Sequence, residues 1–204
     1  MLRIGVTGGI GSGKSLVCKV FEILGVPVYY TDLRTRTIQI LDEEVVAGIK
    51  AIFGEEAYSS PYQLNRTFIA GTVFHDKEKL AKLNALVHPK VFEDFEQWCT
   101  DHAKYKYVLK ESALTFETGF HKKLDKVVVV TAPEQVRIKR VLHRDTFRTE
   151  ADIKTIIERQ MPESVKVKQA DFVLENDEKH LLIPEILRLE GLFSRMVPFP
   201  EAKR

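Results

Sequence analysis

The sequence has few of the features that mark disulfide-rich or membrane-spanning proteins. Its 204 residues include only two cysteines, Cys18 and Cys99, which lie too far apart to suggest a metal knuckle or a disulfide framework. No run approaches the roughly 18 apolar residues of a membrane helix. The N-terminus has no separate apolar stretch with a cleavage site. We therefore expect a protein of the reducing cytoplasm with no membrane partner.

An excess of charge of one sign is also absent. The chain has 31 Lys and Arg against 29 Asp and Glu, which gives a formal net charge of +2. This balance argues against bulk nucleic-acid binding, so we expect no nucleic-acid partner. Hydrophobic residues make up 44% and charged residues 29%, as in an ordinary globular protein with one sizeable core. Nothing in the pattern indicates an oligomeric state.

Apolar runs that predict strands alternate with patterns that predict helices. We expect strands at 2–7, 26–31, 107–116, 126–132 and 171–176, and helices at 14–24, 134–144, 150–161 and 180–193. This alternation predicts an α/β fold with a parallel sheet and helices on both faces. Residues 33–104 show no clear strand and predict helices at 33–53, 76–87 and 89–103. We therefore predict a core of residues 1–32 and 105–204, and a helical insertion of residues 33–104.

The segment "GGIGSGKS", residues 8–15, fits the phosphate-binding loop pattern of glycine, four residues, then Gly-Lys-Ser. Glycines allow backbone N–H groups to converge on phosphate oxygens, and the following helix adds its positive dipole end. Lys14 would reach the β- and γ-phosphates, and the Ser15 hydroxyl would bind Mg²⁺. The alternative is an accidental glycine-rich turn. The predicted ATP-binding residues here are Gly9, Ile10, Gly11, Ser12, Gly13, Lys14, Ser15 and Leu16, with Lys14 also catalytic.

Other motifs narrow the reaction. The sequence has no Asn-Lys-x-Asp or Asp-x-x-Gly, which counts against a GTPase, and no apolar strand ends in Asp-Glu, which counts against a helicase-type ATPase. A chain this short, with a helical insertion and a basic helix, favours a kinase that acts on a small metabolite. Asp32 directly follows the second predicted strand, where a carboxylate could accept a proton from a hydroxyl group. The alternative is that Asp32 caps a helix starting at Leu33.

Several longer motifs resemble the dephospho-CoA kinase family. They are "GVTGGIGSGKS", "DLRTR", "LNRTFIAGTVFHD", "KLNALVHP", "VTAPEQVRIKRVLHRD", "IIERQ" and "ADFVLEN". Two segments depart from the family pattern. Residues 113–117 read ALTFE where Pro-Leu-Leu-Phe-Glu is common, and Tyr30-Thr31-Asp32 replaces Asp-Ala-Asp. Neither departure removes a residue that the chemistry needs.

The resemblance implies a P-loop kinase fold with a lid at about residues 137–160. It also implies ATP- and Mg²⁺-dependent phosphorylation of the ribose 3′-hydroxyl of dephospho-CoA, the last step of coenzyme A synthesis, with Asp32 as the base. Arg137, Arg140 and Arg144 share one helix face, and the resemblance favours contact of Arg140 and Arg144 with ATP phosphates, with Arg140 catalytic. The alternative is a solvated helix face. Asn176 would border the adenine.

The resemblance also suggests residues that bind the acceptor: Thr7, Asp32, Arg36, Arg66, His88 and Glu117. Arg66 could instead form a surface ion pair, and His88 could cap a helix that starts at Pro89. Glu117 could support Mg²⁺ or a hydroxyl group. Two other functions stay open, namely another small-molecule, nucleoside or nucleotide kinase of this fold, and a nucleotide-gated binding protein without acceptor chemistry.

Overall fold

The structure is a computed structural model, and it describes residues 1–197. Within these residues the strands are β1 (Leu2–Thr7), β2 (Val28–Tyr30), β3 (Tyr58–Ser60), β4 (Gln63–Leu64), β5 (Tyr107–Glu111), β6 (Lys126–Thr131) and β7 (Phe172–Glu175). The helices are α1 (Lys14–Ile23), α2 (Thr31–Leu41), α3 (Glu43–Phe53), α4 (Arg66–His75), α5 (Lys77–Asp101), α6 (Glu134–Arg144), α7 (Glu150–Arg159), α8 (Glu163–Gln169) and α9 (Leu182–Met196). None of the described helices is both long and apolar enough to cross a membrane.

A five-stranded sheet in the order β2-β5-β1-β6-β7 forms the framework. The central strand β1 pairs in parallel with β5 and β6, with Ile4 opposite Leu109, and β6 pairs in parallel with β7. The middle of β6 is a run of buried valines, as expected for a strand covered on both faces. This sheet with its flanking helices confirms the predicted α/β fold. The carboxyl ends of β1, β5 and β6 lie at one edge, where parallel sheets bind ligands.

The chain divides into two compact units. The first comprises residues 1–29 together with the chain from His102 onward, and the second is Tyr30–Asp101. In the first unit, Phe21 of α1, Tyr107 of β5 and Phe193 of α9 make edge or stacked ring contacts with centroids 5.6–6.5 Å apart. Burial of these large rings fastens both helices to the sheet.

The second unit is a helical bundle with a small hairpin. Its core contains Val45, Ile49 and Phe53 of α3, packed with Val87 and Val91 of α5. The helix predicted at 33–53 is in fact two helices, because Asp42 caps α3 by accepting a hydrogen bond from the Val45 N–H at 3.0 Å. The prediction that residues 33–104 carry no strand is wrong. Strands β3 and β4 pair antiparallel, but they are too short and polar to show a periodic pattern.

The two helices predicted at 76–87 and 89–103 form the single 25-residue helix α5, with Pro89 inside it. A proline in a helix removes a backbone hydrogen bond and costs about 3 kcal/mol. Burial of Val87, Val91 and Phe95 on both sides of the proline offsets this local cost. His88 therefore lies within a helix and does not cap one. The sequence also missed α8, which is only seven residues long.

Candidate active site

The phosphate-binding pattern lies in a loop between β1, which ends at Thr7, and α1, which begins at Lys14. Gly13 precedes the helix in the left-handed conformation, at φ 96°, and no side chain caps the first turn. The first N–H groups of α1 therefore keep their capacity to bind an anion, and the helix dipole favours negative charge there. The Lys14 side chain is largely buried and folds back over the loop, with Nζ donating to the Gly9 carbonyl at 3.2 Å.

The loop needs glycine partly because neighbouring groups approach its backbone closely. A Cβ atom at Gly8 would lie 2.2 Å from the Val130 carbonyl oxygen. At Gly11 it would lie 2.5 Å from the Arg137 carbonyl oxygen, and at Gly13 2.1 Å from Asn176 Nδ2. These separations are below any ordinary contact distance. The glycines thus let β6, α6 and the segment after β7 pack directly against the loop.

Arg137 of α6 is buried beside this loop. A Cβ atom at Gly9 would lie 2.2 Å from Arg137 Nη1. Arg137 Nε lies 3.8 Å from Glu163 Oε2, and both buried atoms lack a hydrogen-bond partner in the described part of the chain. Burial raises the pKa of the Glu163 carboxyl, and the nearby Arg137 charge opposes this rise. The two side chains line a cavity of about 300 Å³ that reaches Gly9 and Lys166.

Asn176 connects the loop to Arg140. Its Nδ2 donates to the Ser12 carbonyl at 2.9 Å, and its Oδ1 accepts from Arg140 Nη2 at 3.3 Å. The Asn176 backbone N–H is held by the Thr131 carbonyl at the end of β6. Arg140 Nε also donates to Glu178 Oε1 at 3.2 Å, and Glu178 has a positive φ of 67°. The structure thus brings Asn176, Arg140 and the phosphate loop together.

The other predicted arginine of α6 has a different environment. Arg144 is exposed and donates through Nε and Nη2 to the carboxylate of Asp145, which also accepts from Arg148 Nε. These two arginines lower the pKa of Asp145. Nothing in the described structure connects Arg144 to the phosphate loop. Its predicted contact with ATP phosphates remains a prediction.

Glu117, predicted to support Mg²⁺ or a hydroxyl group, is engaged within the first unit. Its Oε1 pairs with the buried Nζ of Lys166 at 2.7 Å and accepts from the Met161 N–H at 2.9 Å. Lys166 also donates to the Ala113 carbonyl at 3.0 Å. Thr7 is fully buried, with its hydroxyl 3.5 Å from the same carbonyl. In this arrangement Glu117 and Thr7 hold the protein interior together.

Glu111 is a buried carboxylate that the sequence reading missed. It ends β5, the strand beside β1, opposite Val6. Burial raises the pKa of the Cys18 thiol on α1, Glu111 raises it further, and Lys14 lowers it, so both charges lie near that helix. The sequence pattern placed Glu111 inside a strand predicted at 107–116, whereas β5 ends at this residue. Ser15, predicted to bind Mg²⁺, lies in the first turn of α1, and oxygen atoms such as its hydroxyl and the Glu111 carboxylate are of the kind that divalent cations prefer.

The remaining predicted acceptor-binding residues lie in the second unit. Asp32 is exposed in the first turn of α2, whose N-cap is Tyr30 without a side-chain cap. The alternative role of Asp32 as a helix cap is therefore wrong, because the helix begins one residue before it. Arg36 on α2 and Arg66 at the start of α4 are both exposed. His88 lies on the exposed side of α5, and partial desolvation lowers the pKa of its imidazole.

Within the first unit, the geometry describes a site for a polyphosphate. The uncapped N-terminus of α1 and the lysine folded over the loop supply the charge and donors that phosphate oxygens need. The Glu111 carboxylate stands at the end of β5, opposite Val6 of the strand that leads into the loop. Such a site can bind a nucleoside triphosphate and stabilise charge on a transferring phosphoryl group.

Comparison with known proteins identifies relatives along almost the whole chain. The profile of the dephospho-CoA kinase family matches residues 2–181. A dephospho-CoA kinase of Bacteroides fragilis is 37% identical over 188 residues, covering 92% of this chain and 91% of that protein. A dephospho-CoA kinase of Chlorobium luteolum is 40% identical over 180 residues, covering 85% of this chain and 82% of its own length.

Solved structures show the same architecture. The crystal structure of TT1252 from Thermus thermophilus superposes with a TM-score of 0.82 at 31% identity, covering 97% of this chain and 98% of that one. A shikimate kinase from Acinetobacter baumannii, in complex with shikimate, has a TM-score of 0.53 at 14% identity, covering 96% of this chain and 94% of that one. The second likeness concerns the fold alone.

Proposed function

Because this chain belongs to the dephospho-CoA kinase family, we propose that Asp32 accepts the proton of the ribose 3′-hydroxyl of dephospho-CoA while the phosphate loop holds ATP. Membership of the family makes the chain a kinase, with ATP as its phosphoryl donor, that acts at the final step of coenzyme A biosynthesis. The roles of individual residues are our proposal. A cytoplasmic location belongs to it too, since both Cys18 and Cys99 are free thiols.

The observation that carries the proposal is the uncapped first turn of α1 behind left-handed Gly13. Lys14 already lies over the loop, on the Gly9 carbonyl. When phosphate oxygens occupy the loop, its ammonium group can exchange this neutral carbonyl for charged oxygens, which accept stronger hydrogen bonds. The N–H groups of the loop would then hold the β-phosphate, and Lys14 would bridge the β- and γ-phosphates.

The transfer forms one bond to the γ-phosphorus and breaks another. The 3′-oxygen attacks the γ-phosphorus, the bond from that phosphorus to the β,γ-bridging oxygen breaks, and ADP leaves. The proton of the hydroxyl passes to the Asp32 carboxylate, which makes no capping bond and is exposed to solvent. Arg140 would neutralise charge on the phosphate oxygens, held in place by Asn176.

We propose that Ser15 and Glu111 hold Mg²⁺, Ser15 through its hydroxyl and Glu111 directly or through water. A bound Mg²⁺ would neutralise negative charge on the phosphate oxygens. The acceptor side of the proposal comprises Asp32, Arg36, Arg66 and His88 in the second unit, whose arginines suit the phosphate groups of dephospho-CoA. Glu117 and Thr7 lie in the first unit, and we give them an indirect role there, since Thr7 contacts the Ala113 carbonyl and Glu117 pairs with Lys166, which donates to the same carbonyl.

A coupled ADP-release assay tests the proposal on dephospho-CoA, adenosine, nucleoside monophosphates and shikimate, each with and without Mg²⁺. Dephospho-CoA should give the highest kcat/KM, and mass spectrometry should find one added phosphate at the 3′ position. A higher kcat/KM for another acceptor would favour the alternative of a different small-molecule kinase. ATP binding without turnover of any acceptor would favour a nucleotide-gated binding protein.

A further inference from the structure

Gln160 contacts the phosphate loop although it lies 150 residues away in the sequence. Its side-chain Oε1 accepts a hydrogen bond from the Ile10 backbone N–H at 2.9 Å. A backbone N–H can only donate, so the oxygen of the amide, and not its nitrogen, must face Ile10. The contact therefore fixes the orientation of the Gln160 side chain. Gln160 stands at the end of the "IIERQ" motif, for which the catalytic proposal gives no role.

The Ile10 side chain reinforces this contact. It packs against the apolar cluster of Ile138 and Val141 on α6 and Ile153 on α7, beside Ile157. The loop is thus attached to α6 and α7 twice at one residue, through the side chain and through the backbone. An apolar anchor alone would leave the peptide plane of Ile10 free to rotate. The Gln160 hydrogen bond removes that freedom.

The backbone around Gln160 is itself held firmly. Gln160 forms the C-cap of α7, and its own N–H donates to the carbonyls of Ile156 and Ile157. The next N–H, that of Met161, donates to Glu117, which pairs with buried Lys166. A side chain on such a support can hold a defined position. This chain of contacts also explains what Glu117 does in the structure.

We propose that Gln160 is a positioning residue for phosphoryl transfer, whose side-chain carbonyl holds the Ile10 N–H and keeps the phosphate loop in its nucleotide-binding shape. The inference rests on the proposed function, since it assumes that this loop binds ATP. Holding the loop before ATP arrives lowers the conformational entropy that binding must remove. Gln160 therefore contributes to ATP affinity without touching the acceptor.

The test uses the full chain and three variants. Gln160→Met keeps the length of the side chain and removes the acceptor, whereas Gln160→Glu keeps an acceptor. Gln63→Met is the matched control, because Gln63 is an exposed glutamine of β4 in the second unit, whereas the phosphate loop belongs to the first unit. Amide hydrogen exchange of the nucleotide-free proteins, resolved at Ile10, reads the contact directly. Equilibrium binding of ATP and the KM values for both substrates read its consequence.

We expect Gln160→Met to accelerate exchange at Ile10 about two- to tenfold, the range that one net hydrogen bond gives. Gln160→Glu should restore the protection, and Gln63→Met should leave it unchanged. The KM for ATP should rise by a similar factor in Gln160→Met, while the KM for dephospho-CoA stays within twofold. A merely structural loss would instead lower the melting temperature and change both KM values together.

The proposal is wrong if the Ile10 amide of the wild type exchanges as fast as an unprotected amide. This measurement does not depend on the folding of any variant. The proposal also fails if Gln160→Met exchanges and binds ATP like the wild type. Failure of the proposed function would look different. The wild type would then bind no ATP, whereas the exchange comparison between Gln160→Met and Gln160→Glu would still report whether the contact holds the loop.

Discussion

The two regions proposed to bind the two substrates differ in how their polar side chains are held. On the phosphate-loop side, Lys14, Asn176 and Arg140 already make hydrogen bonds to the loop or to one another. In the second unit, the described structure gives no hydrogen bond or ion pair for the side chains of Asp32 and Arg66. Both are exposed.

This difference has a physical consequence. Groups that are held by the protein before binding contribute preorganised dipoles and charges, and they lose little entropy when the ligand arrives. Groups bound only to water have no structural role, so replacing them should change chemistry and leave stability unaltered. We therefore expect substitutions in the first region to change both stability and ATP affinity. Substitutions in the second region should change the rate of transfer and leave stability unchanged.

The largest effect should come from Asp32→Asn. Asp32 makes no capping bond, so the variant should keep the wild-type melting temperature and ATP affinity. Losing a general base typically costs about a hundred- to ten-thousandfold in rate, or roughly 3 to 5 kcal/mol of barrier. Single-turnover kinetics with saturating ATP and dephospho-CoA measure the loss. Near-wild-type turnover by the folded variant would rule out Asp32 as the base.

Lys14→Ala provides the contrast for that experiment. Lys14 is largely buried over the loop, so its removal should weaken ATP binding as well as transfer. Equilibrium binding of ATP to both variants separates the two roles. If Lys14→Ala bound ATP as tightly as Asp32→Asn, the distinction between a preorganised region and a solvated region would lose its basis.

The next largest effect is expected for Arg140→Ala. Its guanidinium is held by Asn176 and Glu178, and an arginine aimed at a transferring phosphoryl group can contribute a thousandfold or more. We expect a loss of about a hundredfold in kcat/KM, because other groups share the charge. Arg144→Ala, whose side chain is exposed and paired with Asp145, should lose far less. If both variants turned over as fast as the wild type, the arginines of α6 would only form a solvated helix face without a role in transfer.

In the first unit, the sequence predicted the features that depend on residues close together in the chain. Strand, glycine loop and helix follow one another within residues 2–23, so their pattern is visible directly. The parallel sheet followed from the alternation of elements. Gln160 and Asn176 reach the loop from more than 100 residues away, and only the fold brings them there. Glu111 was missed because the strand was predicted to run on to residue 116, which hid the fact that β5 ends at this acid.

The second unit was harder to predict because long-range packing overrides local signals there. Pro89 indicated a helix start, yet the buried faces of α5 continue through it. Strands β3 and β4 have three and two residues, which is too few for a period to appear. Asp32 stood out by its position after a predicted strand, whereas Arg36 and Arg66 stood out only through the family resemblance, and the roles of all three stay predictions.

Glycine substitutions give a smaller effect and test the close packing of the loop. Gly13 and Gly119 both precede a helical turn in the left-handed conformation, at φ 96° and 72°. An alanine there costs about 1–2 kcal/mol at either position. A Cβ atom at Gly13 would also strike Asn176, whereas at Gly119 it would meet nothing within 4 Å.

Gly13→Ala should therefore weaken ATP binding by about tenfold or more, beyond the loss of stability that it shares with Gly119→Ala. Thermal unfolding and equilibrium ATP binding of both variants separate strain from displacement of Asn176. Wild-type ATP affinity in a destabilised Gly13→Ala would show that the loop tolerates movement of Asn176. The preorganisation that we infer for this side would then be unnecessary for binding.

The smallest effect is expected for Glu163. It lies near the phosphate loop, but unlike Lys14 and Asn176 it has a buried side-chain atom, Oε2, with no hydrogen-bond partner in the described structure. Burial raises its carboxyl pKa in the folded protein above the unfolded value, despite Arg137. The stability that this group contributes is therefore fully present below its unfolded pKa, and it is lost as the pH rises through the folded pKa. Glu163→Gln imitates the protonated form, so it should match the wild type at pH 4.

At pH 7.5, above the pKa of this carboxyl in the unfolded chain, Glu163→Gln should melt about 1–2 °C higher than the wild type, a shift expected for a fraction of a kcal/mol in a chain of this size. Thermal unfolding at intervals between pH 4 and pH 7.5 measures the difference. Glu158→Gln, an exposed carboxylate at the end of α7, is the control and should show no such trend. A Glu163→Gln variant that is less stable at pH 7.5 would mean that attraction to Arg137 outweighs the desolvation of the carboxylate. Glu163 would then be held by its neighbour, like the other polar groups around the phosphate loop.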